Sequence, residues 1–151
     1  MPNFFDDLLD RFCELHADIR KAIEALPREA LDWVPGTETN SVAVLVMHLT
    51  GAENYWVGVA INDPPARDRE MEFTANGFSK EDLIAHLDSA DEHIRQVLAG
   101  FRLPDLEVNR QSPRNSREFT AGWCLVHALE HTALHTGHVQ LTQQLWEKKN
   151  N

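Results

Sequence analysis

The run Cys124-Leu125-Val126-His127-Ala128-Leu129-Glu130-His131-Thr132-Ala133-Leu134-His135-Thr136-Gly137-His138 places four of the chain's eight histidines in one helical pattern. Offsets of four, four and three residues bring all four imidazoles onto one side of a helix. Two imidazoles one turn apart, roughly 6 Å along the axis, can share a divalent metal when each ring is neutral and its other nitrogen is held by a neighbour. Spacing alone leaves three pairs open: 127/131, 131/135 and 135/138. The run points to a metal site and is silent about a reaction.

Three further helices precede it. Phe5, Leu8, Leu9, Phe12, Leu15, Ile19, Ile23 and Leu26 recur at threes and fours until Pro27, which predicts an amphipathic helix near 3–26. A linker from Arg28 to Thr39 carries Pro35-Gly36, and Asn40-Ser41 can cap a second helix over 41–61 with the stripe Val44 or Leu45, His48, Leu49, Ala52, Trp56 and Val59. Asn62-Asp63-Pro64-Pro65 stops it. After a polar connection, Ser79-Lys80-Glu81-Asp82 reads as a capping box for a third helix ending near Gly100. Residues 101–118 show no sustained period, and Phe119 through Trp146 are helical again. No strand-like alternation, internal repeat, phosphate loop or GxSxG elbow competes with this pattern. The expected class is all-α, a four-helix bundle in a single domain over 1–151, with long connections after helices two and three.

A catalytic-type metal site takes about three protein ligands and keeps one position free, so a pair on helix four needs help from another helix. His48 is the candidate, because a polar ring on an apolar stripe must find a partner. Its alternative is a core histidine bonded to backbone or to a carboxylate.

Two segments carry a family likeness. Leu31-Asp32-Trp33-Val34-Pro35 leads to Asn40-Ser41-Val42-Ala43-Val44-Leu45-Val46-Met47-His48-Leu49-Thr50-Gly51-Ala52-Glu53, and Glu130-His131-Thr132-Ala133-Leu134-His135-Thr136-Gly137-His138-Val139-Gln140-Leu141 follows much later. Together they resemble the DinB-like superfamily of metal-binding four-helix bundles, also called YfiT-like or DUF664-like, which includes bacillithiol- and mycothiol-dependent transferases and isomerases. The resemblance implies that His48, His131 and His135 bind one divalent ion, zinc or nickel. It selects the 131/135 pair and leaves His127 and His138 as groups that line a pocket or bond to the ligands. It also implies a homodimer. The chain departs from the family pattern at Thr136 and His138, where a basic residue and a glutamine are common.

Other polar residues fall on apolar stripes. His16 and Asp91 could orient an imidazole or accept a proton, but a place at a watered end of the bundle is the favoured reading. Glu53 and Glu130 flank the histidines as candidate general bases, although glutamates on helix borders are usually solvated. His86 and His93 lie off their stripe and are expected to face solvent. Trp33, Trp56, Trp123 and Trp146 read as core or dimer contacts, with Trp56 and Trp123 as secondary candidates for pocket walls. Cys13 and Cys124 lack CxxC spacing and read as buried hydrophobes or free thiols.

Twenty-four acidic against fourteen basic residues give a formal charge of −10, which repels phosphate backbones and anionic lipid. No nucleic-acid or membrane partner is expected, and the absence of a leader pattern or long apolar run predicts a cytoplasmic protein. A three-histidine ion with a free position can activate water or hold a thiol as thiolate. The expected function is therefore a metal-dependent transferase using a low-molecular-weight thiol, or a hydrolase, acting on a small-molecule substrate. The alternative is a non-catalytic bundle, either with a structural ion or serving only dimerisation.

Overall fold

Each long helix begins where a side chain can accept its first free amides. In the computed structural model, which describes residues 3–151, Asn3 and Asp6 close a capping box at the start of α1 (Phe4–Ala25). Ser41 caps α2 (Val42–Ala60) by accepting from the Val44 amide. A single turn, α3 (Arg69–Glu72), is capped by Asp68 and interrupts the following connection. Ser79 and Asp82 form the expected capping box of α4 (Lys80–Ala99). Thr120 caps α5 (Ala121–Asn150).

The protein is a four-helix bundle in which α1 packs against α4 and α5, and α2 packs against the same two helices. α1 and α2 therefore lie across a diagonal, as do α4 and α5. The α2–α5 contact is the most extensive. Along α5, the buried Thr136 and Thr142 hydroxyls donate to the carbonyls one turn back, each at 2.8 Å.

Two sequence expectations are corrected here. The segment after α4 contains a hairpin, β1 (Asn109–Gln111) antiparallel to β2 (Glu118–Thr120), with Arg110 opposite Phe119. Three-residue strands are too short to show alternation. Phe119 thus belongs to a strand, and α5 starts at Ala121 and runs on to Asn150. The hairpin is fastened to α2 by Arg110 Nε donating to the Ala60 carbonyl at 2.7 Å and by a 2.8 Å bond between Tyr55 and Ser112 hydroxyls.

The apolar core is in two halves. Phe5, Leu8, Phe12, Tyr55, Val59, Ile94, Val97 and Leu125 fill one; Ile19, Ile23, Leu31, Leu45, Leu49, Leu83, Leu87 and Val139 fill the other. Each fully buried side chain such as Phe12 or Leu49 contributes about 1.5–3 kcal/mol. Between the halves runs a polar layer with one residue from each helix: His16, Glu53, Asp91 and Thr132. His16 is wholly buried, with Nδ1 2.7 Å from Asp91 Oδ1 and Nε2 2.8 Å from Glu53 Oε1. Thr132 donates to the same Glu53 oxygen, and Arg20 closes the layer on Asp91 at 2.7 Å. His16 and Asp91 are therefore not at a watered end, because their partners on other helices satisfy them inside. His86 and His93 are also half-buried rather than solvent-facing; His86 packs edge-on to Phe78.

Burial by itself would lower the His16 pKa, but Glu53 and Asp91 outweigh it and raise it from 6.5 to about 9. The charged ring thus stabilises the fold fully below pH 6.5 and ceases to do so as the pH rises through about 9. His16→Ala leaves Glu53 buried without its counter-charge and should cost about 3–5 kcal/mol in urea unfolding at neutral pH. The native-minus-variant difference should shrink on alkalinisation across that window. A loss within the ~0.5 kcal/mol of an ordinary surface change would refute this account of the layer.

Candidate metal centre

α2 and α5 bring His48, His131 and His135 together. One ring nitrogen from each lies within 4.8 Å of the others, and among the described residues no fourth His, Cys, Asp or Glu joins this group. His48 Nε2 is 3.0 Å from His131 Nε2, which is 3.2 Å from His135 Nε2. Nitrogens bound tetrahedrally at about 2.0–2.1 Å from one ion would be separated by about 3.3 Å, close to the separations of His131 from His48 and from His135, and all three lie within 4.8 Å of one another, so the group could hold one cation.

The outer nitrogens support the same arrangement. His48 Nδ1 lies 2.9 Å from Glu72 Oε2, and a carboxylate only accepts, so the Nδ1 proton is committed there and Nε2 keeps its lone pair for the cluster. Arg67 grips both Glu72 oxygens, at 2.6 and 2.9 Å. Burial raises the Glu72 carboxyl, but its bonds to His48 and Arg67 prevail and hold it below the usual range. His135 Nδ1 meets His138 Nδ1 at 3.2 Å. His131 Nδ1 is buried without a partner.

Burial, reinforced by His135 and His48, pushes His131 down to about 3; burial with His48 and His138 pushes His135 down to about 4. Both rings are therefore neutral near pH 7, the state a metal requires.

The other sequence candidates surround this cluster at greater distance. The His127 ring centroid is 6.2 Å from that of His131, and His127 stacks on Trp123 at 4.7 Å while Trp56 meets it edge-on at 5.0 Å. His138 is exposed and borders a small cavity of about 150 Å³ with Pro35, Leu45 and Leu141. Glu53 lies in the polar layer, where His16 and Thr132 hold it. Glu130 is exposed, its carboxylate 3.8 Å from His127. Trp33 pairs with Trp146 at 5.4 Å, away from the cluster. Cys124 is buried and Cys13 half-buried, both as free thiols.

Glu72, Arg67 and Phe73 were not foreseen. Phe73 lies 4.7 Å from the His48 ring. They sit in the connection after α2, where no period marks them; the Asp68 cap before Arg69-Glu70-Met71-Glu72 was the one local signal of order.

A helical bundle with three convergent imidazoles between two of its helices is the class this structure defines. The family model for the DinB superfamily matches residues 11–139, and the chain belongs to that superfamily. A conserved protein from Enterococcus faecalis is similar in fold, with TM-score 0.82 at 13% identity over 96% of this chain and 98% of that one. YfiT from Bacillus subtilis, described as a probable metal-dependent hydrolase with an unusual four-helix bundle topology, aligns with TM-score 0.76 and 14% identity over 95% and 91%. A mycothiol-dependent maleylpyruvate isomerase aligns with TM-score 0.62 and 8% identity over 90% of this chain and 60% of that one. Comparison with curated protein sequences finds no match.

Unfolded histidines titrate near 6.5, whereas His131 and His135 resist protonation until about 3 and 4. The unfolded chain binds more protons between these values, so stability falls as the pH drops from 6.5 toward 4. In chelator-treated protein, the His131→Asn/His135→Asn double variant should lose less stability than native over this range in urea titrations. Parallel pH profiles would show that the two rings are not held neutral by the fold.

Proposed function

We propose that this chain is a metal-dependent enzyme acting on a small molecule, with His48, His131 and His135 as the ligands of one zinc or nickel ion. The observation that carries the reading is the convergence of one ring nitrogen from each of three histidines on two helices, all within 4.8 Å of one another. Such an ion supplies Lewis acidity, which lowers the pKa of a water or thiol reaching its free position.

The chain's own groups then divide the remaining tasks. Glu72 and His138 hold the outer nitrogens of His48 and His135. Trp123 and His127 stack on each other and Trp56 meets both edge-on, an aromatic cluster beside His131 suited to packing a substrate's apolar part and excluding water. Proton acceptance falls to His127 with the exposed Glu130, since the Glu53 carboxylate is enclosed and engaged elsewhere. Transfer from a low-molecular-weight thiol to an electrophile is the reaction class we favour, with hydrolysis next; among the proteins of similar fold, the isomerase is described as mycothiol-dependent and YfiT as a probable metal-dependent hydrolase.

The rival reading makes the ion a structural tie between α2 and α5. It would need a closing ligand, and His138, the next imidazole outward, meets His135 through Nδ1 instead of entering the cluster. The reading includes a cytoplasmic setting and excludes nucleic acid and lipid as partners on charge. No helix among the described residues is long and apolar enough to cross a membrane. It also includes a homodimer, because Val126, Leu134 and Leu141 on α5 are 58%, 57% and 52% exposed in one copy.

Elemental analysis of protein purified without chelator should give about one zinc or nickel per chain, lost in His48→Ala and in His131→Ala but retained in His127→Ala. Cobalt-substituted protein should change its visible spectrum with azide or a small thiol. No metal uptake by the native chain, or a cobalt spectrum indifferent to both additives, would overturn the binding and the catalytic parts respectively. Sedimentation of the purified chain should show a dimer that Leu134→Glu with Leu141→Glu dissociates; a native monomer would remove that part.

A further inference from the structure

The connection between α2 and α4 does more than span a gap. It brings the buried Glu72 against α2, and the group it meets there is the outer nitrogen of His48, at 2.9 Å. Arg67 and Glu72 are five residues apart on the same segment and their side chains are both largely buried. An ion pair within one surface segment could stay in water at little cost. Here it is pressed into the bundle, and the desolvation cost is offset by the pair's own bonds and by the further bond to His48.

The bundle makes room for it at one position. A Cβ added at Gly51 would overlap Oε1 of Glu72 and come within 2.9 Å of its Cδ. Gly51 lies within α2, where glycine is a weaker helix former than alanine. Alanine would therefore be the better helix former, yet it would expel the carboxylate from His48. The clash is with the far end of a flexible side chain, so expulsion needs no movement of the backbone.

We propose that Glu72 is a positioning residue for the three-histidine centre, fixing His48 with its proton on Nδ1 and its lone pair on Nε2 toward His131, and that Gly51 is the opening in α2 that admits it. Arg67 holds both carboxylate oxygens and so sets the direction from which Glu72 meets the ring. Arg67 Nη2 comes within 3.4 Å of the same Nδ1, but it too is a donor and cannot bond to a nitrogen already carrying its proton. The inference rests on the metal-binding reading above for its consequence and on hydrogen bonding alone for its geometry.

The test uses zinc as the probe, competed against a chromophoric chelator, with native protein, Gly51→Ala, Glu72→Gln and Glu72→Ala. Gly51→Ala and Glu72→Ala should each weaken zinc binding by about 10- to 100-fold, the usual effect of losing an outer-sphere partner. Glu72→Gln should weaken it less, because the amide oxygen still accepts from Nδ1–H. Nitrogen NMR of zinc-free native protein should show His48 protonated at Nδ1, and Glu72→Ala should show a tautomer mixture. Native affinity in both Gly51→Ala and Glu72→Ala would overturn the proposal, as would an Nε2–H tautomer in the native chain. If the native chain takes up no zinc, the metal reading falls, while the NMR measurement still decides whether Glu72 sets the ring.

Discussion

One imidazole held between two carboxylates at mid-height governs this bundle. His16 is wholly enclosed, and its partners Glu53 and Asp91 come from two other helices, while Thr132 of the fourth bonds to the same Glu53 oxygen. Apolar packing tolerates sliding of one helix past another at modest cost, whereas a buried charge tolerates little. The layer therefore sets the axial position of all four helices at once. Its link to the site is short: Thr132 follows His131, so whatever places that hydroxyl on Glu53 also places the next imidazole along α5.

The histidine cluster is a second polar arrangement in the same wall of the bundle, with a different electrostatic character. His16 is held charged by acidic neighbours, while His131 and His135 are held neutral by burial and by neighbouring imidazoles. Opposite protonation in rings so close in the fold follows from what each environment contains. The acid groups face His16 directly, whereas the one carboxylate near the cluster, Glu72, meets the outer edge of His48 and is itself claimed by Arg67. His48 Nε2 is thus left with its lone pair directed at His131.

Much of this was legible in the chain. The long helices followed from threes-and-fours spacing, and Ser41 and Ser79 marked two starts that the structure keeps. His48 was legible as a ring on an apolar stripe, whereas helical spacing left 127/131, 131/135 and 135/138 open and only the family likeness singled out His131 and His135. What escaped depends on distant partners. His16 and Asp91 looked solvated because stripe position cannot reveal that residues 37 and 75 positions away will satisfy the ring. Glu72 escaped because a carboxylate in an aperiodic connection carries no mark of what it will touch. The hairpin escaped because its strands span three residues each.

The diagonal placement of α1 and α2 bears on how the chain reaches this state. Of the successive long helices, α2 and α4 are the pair whose packing is extensive, and α1 packs mainly against α4 and α5, touching α2 through the His16–Glu53 bond. The cluster is later still, joining residues 83 positions apart. Closing such loops costs entropy before any contact returns it, so the nascent chain holds its first helix unpartnered through much of synthesis. The acidic face of α1 then keeps a waiting amphipathic helix in water, and arrival of α5 both closes the bundle and first creates a place where a cation could reside.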